Sequence, residues 1–578
     1  MSFIKKILSL VLIVQPMLLA SQNKYPTDYF GSPIDFPISL SGTFGELRNG
    51  HLHSGIDIRT QGVEGKPIKA IADGWVSRVV VSPTGYGKAI YIDHPNGYTS
   101  LYGHCQSFYQ AIEKYVNTEQ YRNESFAVDL KFTKNEFPVK KGQLIAKSGN
   151  SGSSGGPHIH FEIRDTKEKT TINPLFFGYK IKDYTRPQIK RLLIYPYGPN
   201  SSVNGKNIFH EVALAGWGLN LHPKPGQDTI NVCGKVYFGI EAFDRHNDSQ
   251  MDNGVFSIKL MIDSVLMYSH KMEKFDFEES RQMLALVDYP YLIKNKKRIQ
   301  RSIILPNNEL PIYKNVKHRG IYRFDKSKIY QVKYVVGDIE GNESVLTFHI
   351  KGNNDGVSFI PKIPFITKNE TIMRWDSHNV FKREGILIEI PKKALFDTLH
   401  FKFSINKPQN GGFSPVYHIH DPYTPLLKSY KLAIKPTGFD PALRNKLLIV
   451  KLDTKNEKPI PAGGKWDGKF LTTNVREFGS YTVLADTKPP TIKPANIQNG
   501  KNISGQGSIR ITVTDDLAGI ETFRATMNGK WILMDWDPKR NLLEYKIDEH
   551  TKKGKNTFRL SVVDTRGNEA VYEATLYR

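Results

Sequence analysis

The stretch from Gly155 to Ile163, Gly-Gly-Pro-His-Ile-His-Phe-Glu-Ile, limits the possible folds of this chain more than any other. Successive side chains of an extended strand point to opposite faces, so His158, His160 and Glu162 share one face and the apolar residues share the other. A strand that is buried on its apolar side would hold the two imidazoles rigidly. Neutral imidazole is a good ligand for zinc. The stretch therefore predicts half of a metal site on a β-strand.

Two upstream motifs offer partners for this half-site, His53-Ser54-Gly55-Ile56-Asp57 and Leu101-Tyr102-Gly103-His104. Two histidines and one carboxylate would make three protein ligands and leave a fourth tetrahedral position open, as in catalytic zinc sites. Two histidines would then remain beside the metal. We expect His104 and whichever of His158 and His160 is not a ligand to act as general base and to stabilise the developing oxyanion.

The motifs His-x-Gly-x-Asp, Tyr-Gly-His and Gly-Pro-His-x-His-Phe-Glu, in this order, resemble those of the lysostaphin/LytM-type zinc metallopeptidases, which cut peptide cross-bridges of bacterial cell walls. The resemblance covers roughly residues 40 to 165 of the 578. It implies one zinc ion per chain, bound by His53, Asp57 and His160, with His104 and His158 as the catalytic pair. It also implies hydrolysis of peptidoglycan peptides by zinc-activated water.

Two alternatives remain open at this point. The first is a non-catalytic protein that binds the cell wall or activates a hydrolase while keeping the peptidase fold. All five motif residues are present, whereas an inactive relative would be expected to have lost some of them. The second is an enzyme of other specificity, which cuts Gly-rich bridges or an exported protein, because the motifs define the chemistry but not the side chains around the scissile bond.

The first residues predict export. A basic start, Met1 to Lys6, precedes an apolar run from Ile7 to Ala20 that is too short to span a bilayer, which is typical of a signal peptide over residues 1–20. No other run is long and apolar enough for a membrane helix, so the mature chain is expected to lack a transmembrane segment. We expect a periplasmic, cell-surface or secreted protein. Its only cysteines, Cys105 and Cys233, fall in different predicted domains and are not expected to pair.

The net charge of +23 favours anionic partners. Nucleic acid is disfavoured because the chain is expected to be exported and has no recognisable nucleic-acid module. Peptidoglycan peptides, and beyond them anionic envelope polymers or glycolipids, are the expected partners.

The fold class is expected to be mainly β, with a small antiparallel-sheet zinc peptidase domain over residues 21–184 and three β-rich domains over 185–354, 355–486 and 487–578. Short β-branched runs bounded by turn dipeptides indicate the strands. Helical spacing predicts one inserted helix after His104. The predicted strands, turns and helix of the first domain are Pro67 to Ile71, Trp75 to Val81, Ala89 to Ile92, Asp73-Gly74, Asn96-Gly97, and a helix containing Phe108, Ile112 and Tyr115.

A degenerate internal repeat indicates that at least two of the later domains are immunoglobulin-like sandwiches. Each repeat opens on a Thr/Pro-containing segment, carries an inner aspartate and closes with an Asp-x-x-Gly-Asn turn; Asp244 and Asp338 mark the first copy, and Asp515 and Asp564 the second. Calcium at these turns is one interpretation, and ordinary turn chemistry is the favoured one. The domains are expected to position the enzyme or hold a partner. A second His-x-His, at His418, is expected to be a surface turn.

Overall fold

The computed structural model describes residues 24–227, 229–247, 249–353 and 371–578. The expected signal peptide and the predicted domain boundary at 354–355 lie outside these residues. The described residues are mainly β, with many antiparallel sheets, which confirms the expected fold class. None of the helices in the described part of the chain is long and apolar enough for a membrane crossing.

The N-terminal domain, residues 24–182, is organised around one twisted sheet with the strand order β1-β2-β11-β6-β5-β4-β8, all neighbours antiparallel. A second sheet has the order β3-β10-β7. The elements are β1 (Leu40–Gly42), β2 (Ile56–Arg59), β3 (Pro67–Lys69), β4 (Gly74–Val81), β5 (Lys88–Asp93), β6 (Tyr98–Gly103), β7 (Ser107–Phe108), α1 (Gln110–Arg122), β8 (Val128–Lys131), β9 (Pro138–Val139), β10 (Leu144–Lys147), β11 (His158–Asp165), β12 (Thr171–Ile172) and the short helix Pro174–Phe177.

Local sequence explains most of these elements. Gly97 has a φ of 85° in the turn between β5 and β6, a conformation that favours glycine, as the Asn-Gly dipeptide predicts. Asp73-Gly74 instead leads into β4, which begins at Gly74, and β3 pairs with β10 rather than with β4. The predicted helix is present as α1 and contains Ile112 and Tyr115, but Phe108 lies in β7 before it. Ile112 and Val116, one turn apart, are the residues of α1 that are buried in the core.

The central position of β11 brings the three motifs together. β11 pairs with β2 on one side and with β6 on the other, which places His160 opposite both Asp57 and Gly103. Ile159, Phe161 and the other apolar residues of β11 have no exposed surface. The strand is therefore anchored on one face and presents its histidines on the other, as the alternation predicts.

The second domain, residues 183–353, packs a five-stranded sheet against a seven-stranded one around a shared core. This agrees with a sandwich, while its immunoglobulin-like character stays a prediction. The five-stranded sheet contains Gln188–Pro196, His210–Val212, Lys235–Phe243, Gln300–Arg301 and Tyr322–Arg323; the seven-stranded sheet contains Ser202–Val203, Thr229–Cys233, Ser257–Ile262, Val265–Lys271, Tyr313–Val316, Ile329–Gly337 and Glu343–Asn353; Leu214–Ala215 pairs with His222–Pro223, and short helices span Gly218–Asn220 and His318–Gly320.

An excursion of the second domain, residues 272–312, completes the N-terminal domain. Its strand Lys274–Phe275 pairs with β12, and Phe275 and the Met283–Leu286 helix lie in the N-terminal core. Sequence reasoning did not anticipate this excursion, because its contacts join residues more than 100 positions apart. Its helices are Phe277–Gln282, Met283–Leu286 and Tyr289–Asn295.

The third domain, residues 371–486, and the fourth, residues 487–578, each pack two sheets around a core of their own. The third contains Thr371–Met373, Asn379–Arg383, Ile386–Ile390, Leu399–Phe401, Phe403–Asn406, Val416–Ile419, Tyr430–Ile434, Leu447–Leu452, Pro459–Gly463, Lys465–Asp467, Phe470–Val475, Gly479–Ala485 and the helix Pro441–Lys446. The fourth contains Thr491–Pro494, Lys501–Asn502, Ser508–Thr514, Ile520–Met527, Lys530–Trp531, Asp535–Asp537, Leu542–Lys546, Lys555–Asp564 and Glu569–Tyr577.

Candidate metallopeptidase site

Three buried donor atoms form a nearly equilateral triangle at the open end of β2 and β11. His53 Nε2 lies 3.0 Å from His160 Nδ1 and 3.0 Å from Asp57 Oδ1, and His160 Nδ1 lies 3.1 Å from Asp57 Oδ1. Two ligands of a tetrahedral zinc ion at about 2.0–2.1 Å are roughly 3.3 Å apart. The donor set and its spacing therefore fit one zinc ion, with one position left for a non-protein ligand.

The far nitrogen of each of these histidines contacts an oxygen that orients the ring. His53 Nδ1 lies 2.8 Å from the carbonyl oxygen of Thr43, and His160 Nε2 lies 2.8 Å from Glu162 Oε1. Donation of the outer N–H to these oxygens would leave His53 Nε2 and His160 Nδ1 as the atoms that bind a metal at the centre of the triangle. Burial lowers the pKa of His160, but its contacts with Asp57 and Glu162 outweigh burial and raise that pKa to about 9, so a metal would displace a proton from this ring. Such outer contacts fix the tautomer and raise the basicity of a metal-binding imidazole.

Glu162 is held as a carboxylate by a buried network. The hydroxyls of Ser54 and Tyr86 each donate to its Oε1 atom at 2.6 Å, and Arg164 Nε donates to its Oε2 atom at 2.6 Å. Burial alone would raise the pKa of Glu162, but Arg164 and His160 hold that pKa well below its usual range. The negative charge behind His160 is therefore maintained.

Arg48 holds the second oxygen of the Asp57 carboxylate. Arg48 Nη2 lies 2.7 Å from Asp57 Oδ2 and 3.3 Å from Glu46 Oε2, whereas Asp57 Oδ1 faces the histidines. Burial would raise the pKa of Asp57, but the adjacent histidines, His53 first, hold it well below its usual range. Asp57 thus offers one oxygen to a metal and keeps the other in an ion pair.

His104 and His158 lie side by side next to the triangle, with ring centroids 4.8 Å apart. His104 Nδ1 donates to the carbonyl oxygen of Ser151 at 2.9 Å, and His158 Nδ1 donates to that of Gly156 at 2.8 Å. His158 Nε2 lies 3.4 Å from Asp57 Oδ1. Burial, followed by the neighbouring imidazoles, lowers the pKa of His104 to about 3. His104 is therefore neutral at neutral pH, and its Nε2 atom carries no proton.

The glycine-rich loop before β11, residues 148–156, forms one wall of the cleft and contacts the fourth domain. Lys539 donates to the carbonyl oxygens of Asn150 at 2.7 Å and Ser154 at 2.9 Å. A groove of about 520 Å³ lies between the loop and the fourth domain, with Trp536 on its far side. A side chain from the last domain therefore stabilises the loop whose carbonyls hold His104 and His158.

The structure places all five predicted site residues at this one location. It adds residues that sequence reasoning missed, above all Arg48, Tyr86 and Lys539, none of which belongs to a motif. Glu162 was placed on the correct face of β11 but was given no role. Cys105 is fully buried, and burial raises the pKa of its thiol to about 12, so it is unsuited to act as a nucleophile.

The second His-x-His does not form a comparable group among the described residues. His418 Nδ1 lies 2.7 Å from the Ser480 hydroxyl, whereas His420 packs its ring against Phe478. The two rings therefore have separate structural partners.

Comparisons with known families match two parts of the chain. Residues 51–121 and 126–174 match the model of peptidase family M23, and residues 370–486 match that of the Zu5-like domain. The first match contains all five predicted site residues.

Curated relatives are similar over the same N-terminal part. The chain is 33% identical over 140 residues to the DD-carboxypeptidase/endopeptidase Mpg of Neisseria meningitidis serogroup B strain MC58, covering 24% of this chain and 26% of that protein. It is 33% identical over 113 residues to the murein hydrolase activator EnvC of Escherichia coli K12, covering 19% of this chain and 20% of that protein. The chain thus spans about a quarter or less of the length of these relatives.

Among solved structures, the catalytic domain of lysostaphin from Staphylococcus simulans is 25% identical, with 25% of this chain and 90% of that chain covered and a TM-score of 0.18. The family match and the curated relatives confirm the resemblance to the lysostaphin/LytM-type peptidases that the three motifs indicated.

Proposed function

We propose, because the chain carries a peptidase domain of family M23, that it is an exported zinc metalloendopeptidase that hydrolyses peptide cross-links of peptidoglycan. The observation that carries this proposal is the donor triangle of His53, Asp57 and His160 with the histidine pair His104 and His158 beside it. A structural zinc site would use four protein ligands and need no such pair.

A zinc ion held by the triangle would supply Lewis-acid chemistry, which polarises a peptide carbonyl and activates water for hydrolysis. His104, neutral and anchored through Nδ1, accepts the proton of the attacking water at Nε2. His158 is anchored in the same way through Gly156, and it stabilises the oxyanion that develops on the substrate carbonyl when its Nε2 atom also carries a proton and can donate it. Return of the proton to the leaving amine completes the hydrolysis.

The proposed substrate class rests on the family, on the relatives' names and on the open groove beside the cleft. The relative from Neisseria meningitidis is named a DD-carboxypeptidase/endopeptidase. The groove next to Ser151 and Ser154 can take an extended peptide, with loop carbonyl and amide groups available for hydrogen bonds. Peptidoglycan peptides are therefore proposed as the substrate, and the strong positive charge is proposed to favour contact with anionic envelope polymers or glycolipids.

A second candidate function is activation of another cell-wall hydrolase without catalysis. It is favoured by one observation, since two relatives from Escherichia coli, EnvC and NlpD, are named murein hydrolase activators. The retained His104 and His158, each held by a backbone carbonyl, favour the enzyme, because an activator would not need an anchored proton acceptor.

The test uses purified chain beginning at Ser21, incubated on intact peptidoglycan with one equivalent of zinc, and then with a chelator. Mass spectrometry of the released material should show opened peptide cross-links that disappear with the chelator and with the His104→Ala variant. No new amino termini at full zinc occupancy would reject the enzyme. The activator would then be tested by adding the chain to an amidase and measuring a gain in wall cleavage.

A further inference from the structure

A second group of buried polar residues lies where the second domain meets the N-terminal domain. Asp183, Asp244 and His246 are 5%, 1% and 7% exposed, and one ligand atom from each lies within 4.8 Å of the other two. They line a cavity of about 20 Å³, together with Asp338 and Thr43 of the N-terminal domain. A cavity of this size has room for one ion or one water molecule.

Several polar atoms of this group have no hydrogen-bond partner among the described residues. They are Asp183 Oδ2, Asp244 Oδ1 and His246 Nδ1. His246 Nε2 lies 3.9 Å from Asp183 Oδ2 and 3.8 Å from Asp244 Oδ2, too far for hydrogen bonds. Two ligands that share one ion at about 2.0–2.4 Å can be separated by such distances. Asp183 Oδ2 is both unpartnered and close to His246 Nε2, whereas the unpartnered atoms of Asp244 and His246 are the other polar atoms of those side chains. Buried polar atoms without partners are costly, so Asp183 Oδ2 above all points to an absent ligand.

The fourth domain provides an internal comparison, because it repeats the same framework. In the second domain, Asn342 donates its backbone N–H to Asp338 Oδ1 at 2.8 Å and its amide to the Asp183 carbonyl at 3.3 Å. In the fourth domain, Asn568 makes the corresponding bonds to Asp564 at 2.9 Å and to the Asp486 carbonyl at 3.1 Å. Asp183 thus corresponds to Asp486. In the internal sequence repeat, Asp244 corresponds to Asp515.

The two copies differ in how they compensate their negative charge. In the fourth domain, Asp486 Oδ2 accepts the backbone N–H of Ala518 at 2.8 Å, and Asp515 Oδ2 accepts that of Gly519 at 2.7 Å. Arg566 adds a positive charge; its burial lowers its pKa, while Glu521, Asp564 and Asp486 counteract that effect. The fourth domain therefore gives two of its aspartate oxygens a backbone N–H and places a guanidinium nearby, although Asp515 Oδ1 and Arg566 Nε have no partner among the described residues and Asp486, Asp515 and Asp516 also form a close acidic group.

In the second domain the position of Arg566 is taken by Glu340, which lines the cavity and adds a further carboxylate. Neither Asp183 Oδ2 nor Asp244 Oδ1 receives a backbone N–H. Burial, then the charges of Asp183 and Asp338, raise the pKa of Asp244 to about 8. The second domain therefore has a carboxylate, Glu340, where the fourth domain has the guanidinium of Arg566, so a cation from outside would compensate its negative charge.

We infer that Asp183, Asp244 and His246 bind a divalent transition-metal cation at the junction between the second and N-terminal domains. Asp338 and Glu340 supply additional negative charge. The nitrogen of His246 favours zinc or manganese over calcium, which takes oxygen ligands. The ion holds the second domain against the N-terminal segment that contains Thr43. The hydroxyl of Thr43 donates to the Gly254 carbonyl of the second domain at 3.1 Å, and the carbonyl of Thr43 orients His53 in the peptidase site.

The test is the metal content of the full chain after equilibration with zinc or with manganese and removal of free ions, measured by elemental mass spectrometry. Asp244→Asn and Glu340→Arg should each bind one ion per chain fewer than the wild type. Asp515→Asn, the matched change in the fourth domain, should leave the metal content unchanged. Because only differences between variants are compared, the result does not depend on the ion proposed for the peptidase site.

Thermal unfolding separates loss of the ion from loss of the fold. Glu340→Arg should give a chain whose melting temperature in chelator is at least that of the wild type, since a guanidinium replaces the ion as Arg566 does in the other copy. Equal metal content in wild type, Asp244→Asn and Glu340→Arg would overturn the inference. Uptake of calcium with no uptake of manganese or of a second zinc ion would overturn the assignment of His246 as a ligand.

Discussion

His160 Nε2 lies 2.8 Å from Glu162 Oε1, while the other ring nitrogen of His160 faces Asp57 Oδ1 at 3.1 Å. The imidazole is therefore held between two carboxylates, one in the donor triangle and one behind it. Because His160 and Glu162 are two residues apart on one strand, the same backbone positions both. The metal site and its support consequently share one rigid element.

Glu162→Gln should weaken zinc binding roughly 10- to 100-fold, the usual cost of removing an outer carboxylate from a metal-binding histidine. The glutamine keeps the shape and can still accept from Ser54 and Tyr86, so the fold should be retained. Competition with a chromophoric chelator measures the affinity. An unchanged zinc affinity together with a reduced kcat at saturating zinc would contradict this role.

The variants His158→Ala and His160→Ala should show which of the two histidines is a zinc ligand and which acts in catalysis. His160→Ala should lose the peptidase-site zinc, because its Nδ1 atom is part of the donor triangle. His158→Ala should keep the zinc and lower kcat roughly 10²- to 10⁴-fold, the range expected for removal of a proton-transfer or oxyanion-stabilising group. Zinc content and turnover are measured on the same preparations. Loss of zinc in His158→Ala would make His158 a ligand.

The motif residues could be predicted from sequence because strand pairing brings short contiguous motifs together. The alternation of β11 gave the face of His158 and His160, and its antiparallel neighbours supplied Asp57 and His104. Arg48 was not predicted, because an isolated arginine upstream of a motif has no signature. Its role follows only from the contact with the second oxygen of Asp57.

Of the group Asp183, Asp244 and His246 in the second domain, sequence analysis identified only Asp244. The internal repeat identified Asp244 and Asp338, but the predicted domains, 185–354 and 487–578, begin just after Asp183 and Asp486 and so leave both residues out. The two Asp-x-x-Gly-Asn turns show that Glu340 in the second domain stands where Arg566 stands in the fourth domain. The meaning of this difference depends on burial, which the sequence does not show.

Arg48→Ala should weaken zinc binding or lower kcat by roughly tenfold, because Asp57 Oδ2 would lose the ion pair that orients the carboxylate. Gly42→Ala should have an effect at least as large, since a Cβ there would lie 2.2 Å from Arg48 Nη2 and 2.7 Å from Asp57 Oδ2 and would disturb both partners of the pair. Gly505→Ala, where a Cβ meets no atom within 4 Å, is the matched control. A Gly42→Ala enzyme with wild-type zinc affinity and kcat would show that the pair is dispensable.

Lys539→Ala should lower kcat several-fold without changing zinc content. Lys539 donates hydrogen bonds to the carbonyls of Asn150 and Ser154 in the loop 148–156. Two other carbonyls of the same loop accept hydrogen bonds from His104 and His158. Lys546→Ala is the control, because Lys546 lies on the same groove and contacts Asp535 rather than the loop. Turnover on purified wall fragments compares the two variants. Equal activity in both would show that the fourth domain does not support the catalytic loop.

His270 should make the second domain sensitive to acid. Burial lowers the pKa of His270 from its ordinary value of 6.5 to about 3, and its ring nitrogen Nδ1 pairs with the Tyr268 hydroxyl at 2.9 Å. Since the folded pKa is depressed, the unfolded chain binds the proton first. The contribution to stability is complete above pH 6.5, declines as the pH falls and is lost near pH 3.

At pH 5 the loss from this one residue is about 2 kcal/mol relative to neutral pH. His270→Asn, which keeps an acceptor for Tyr268 but does not titrate, should remove that part of the pH dependence. Urea unfolding of the second-domain transition at pH 7 and pH 5 measures the difference. The variant should lose less stability between the two pH values than the wild type does. An identical loss in both would mean that another buried histidine of the second domain, such as His246, causes the acid sensitivity.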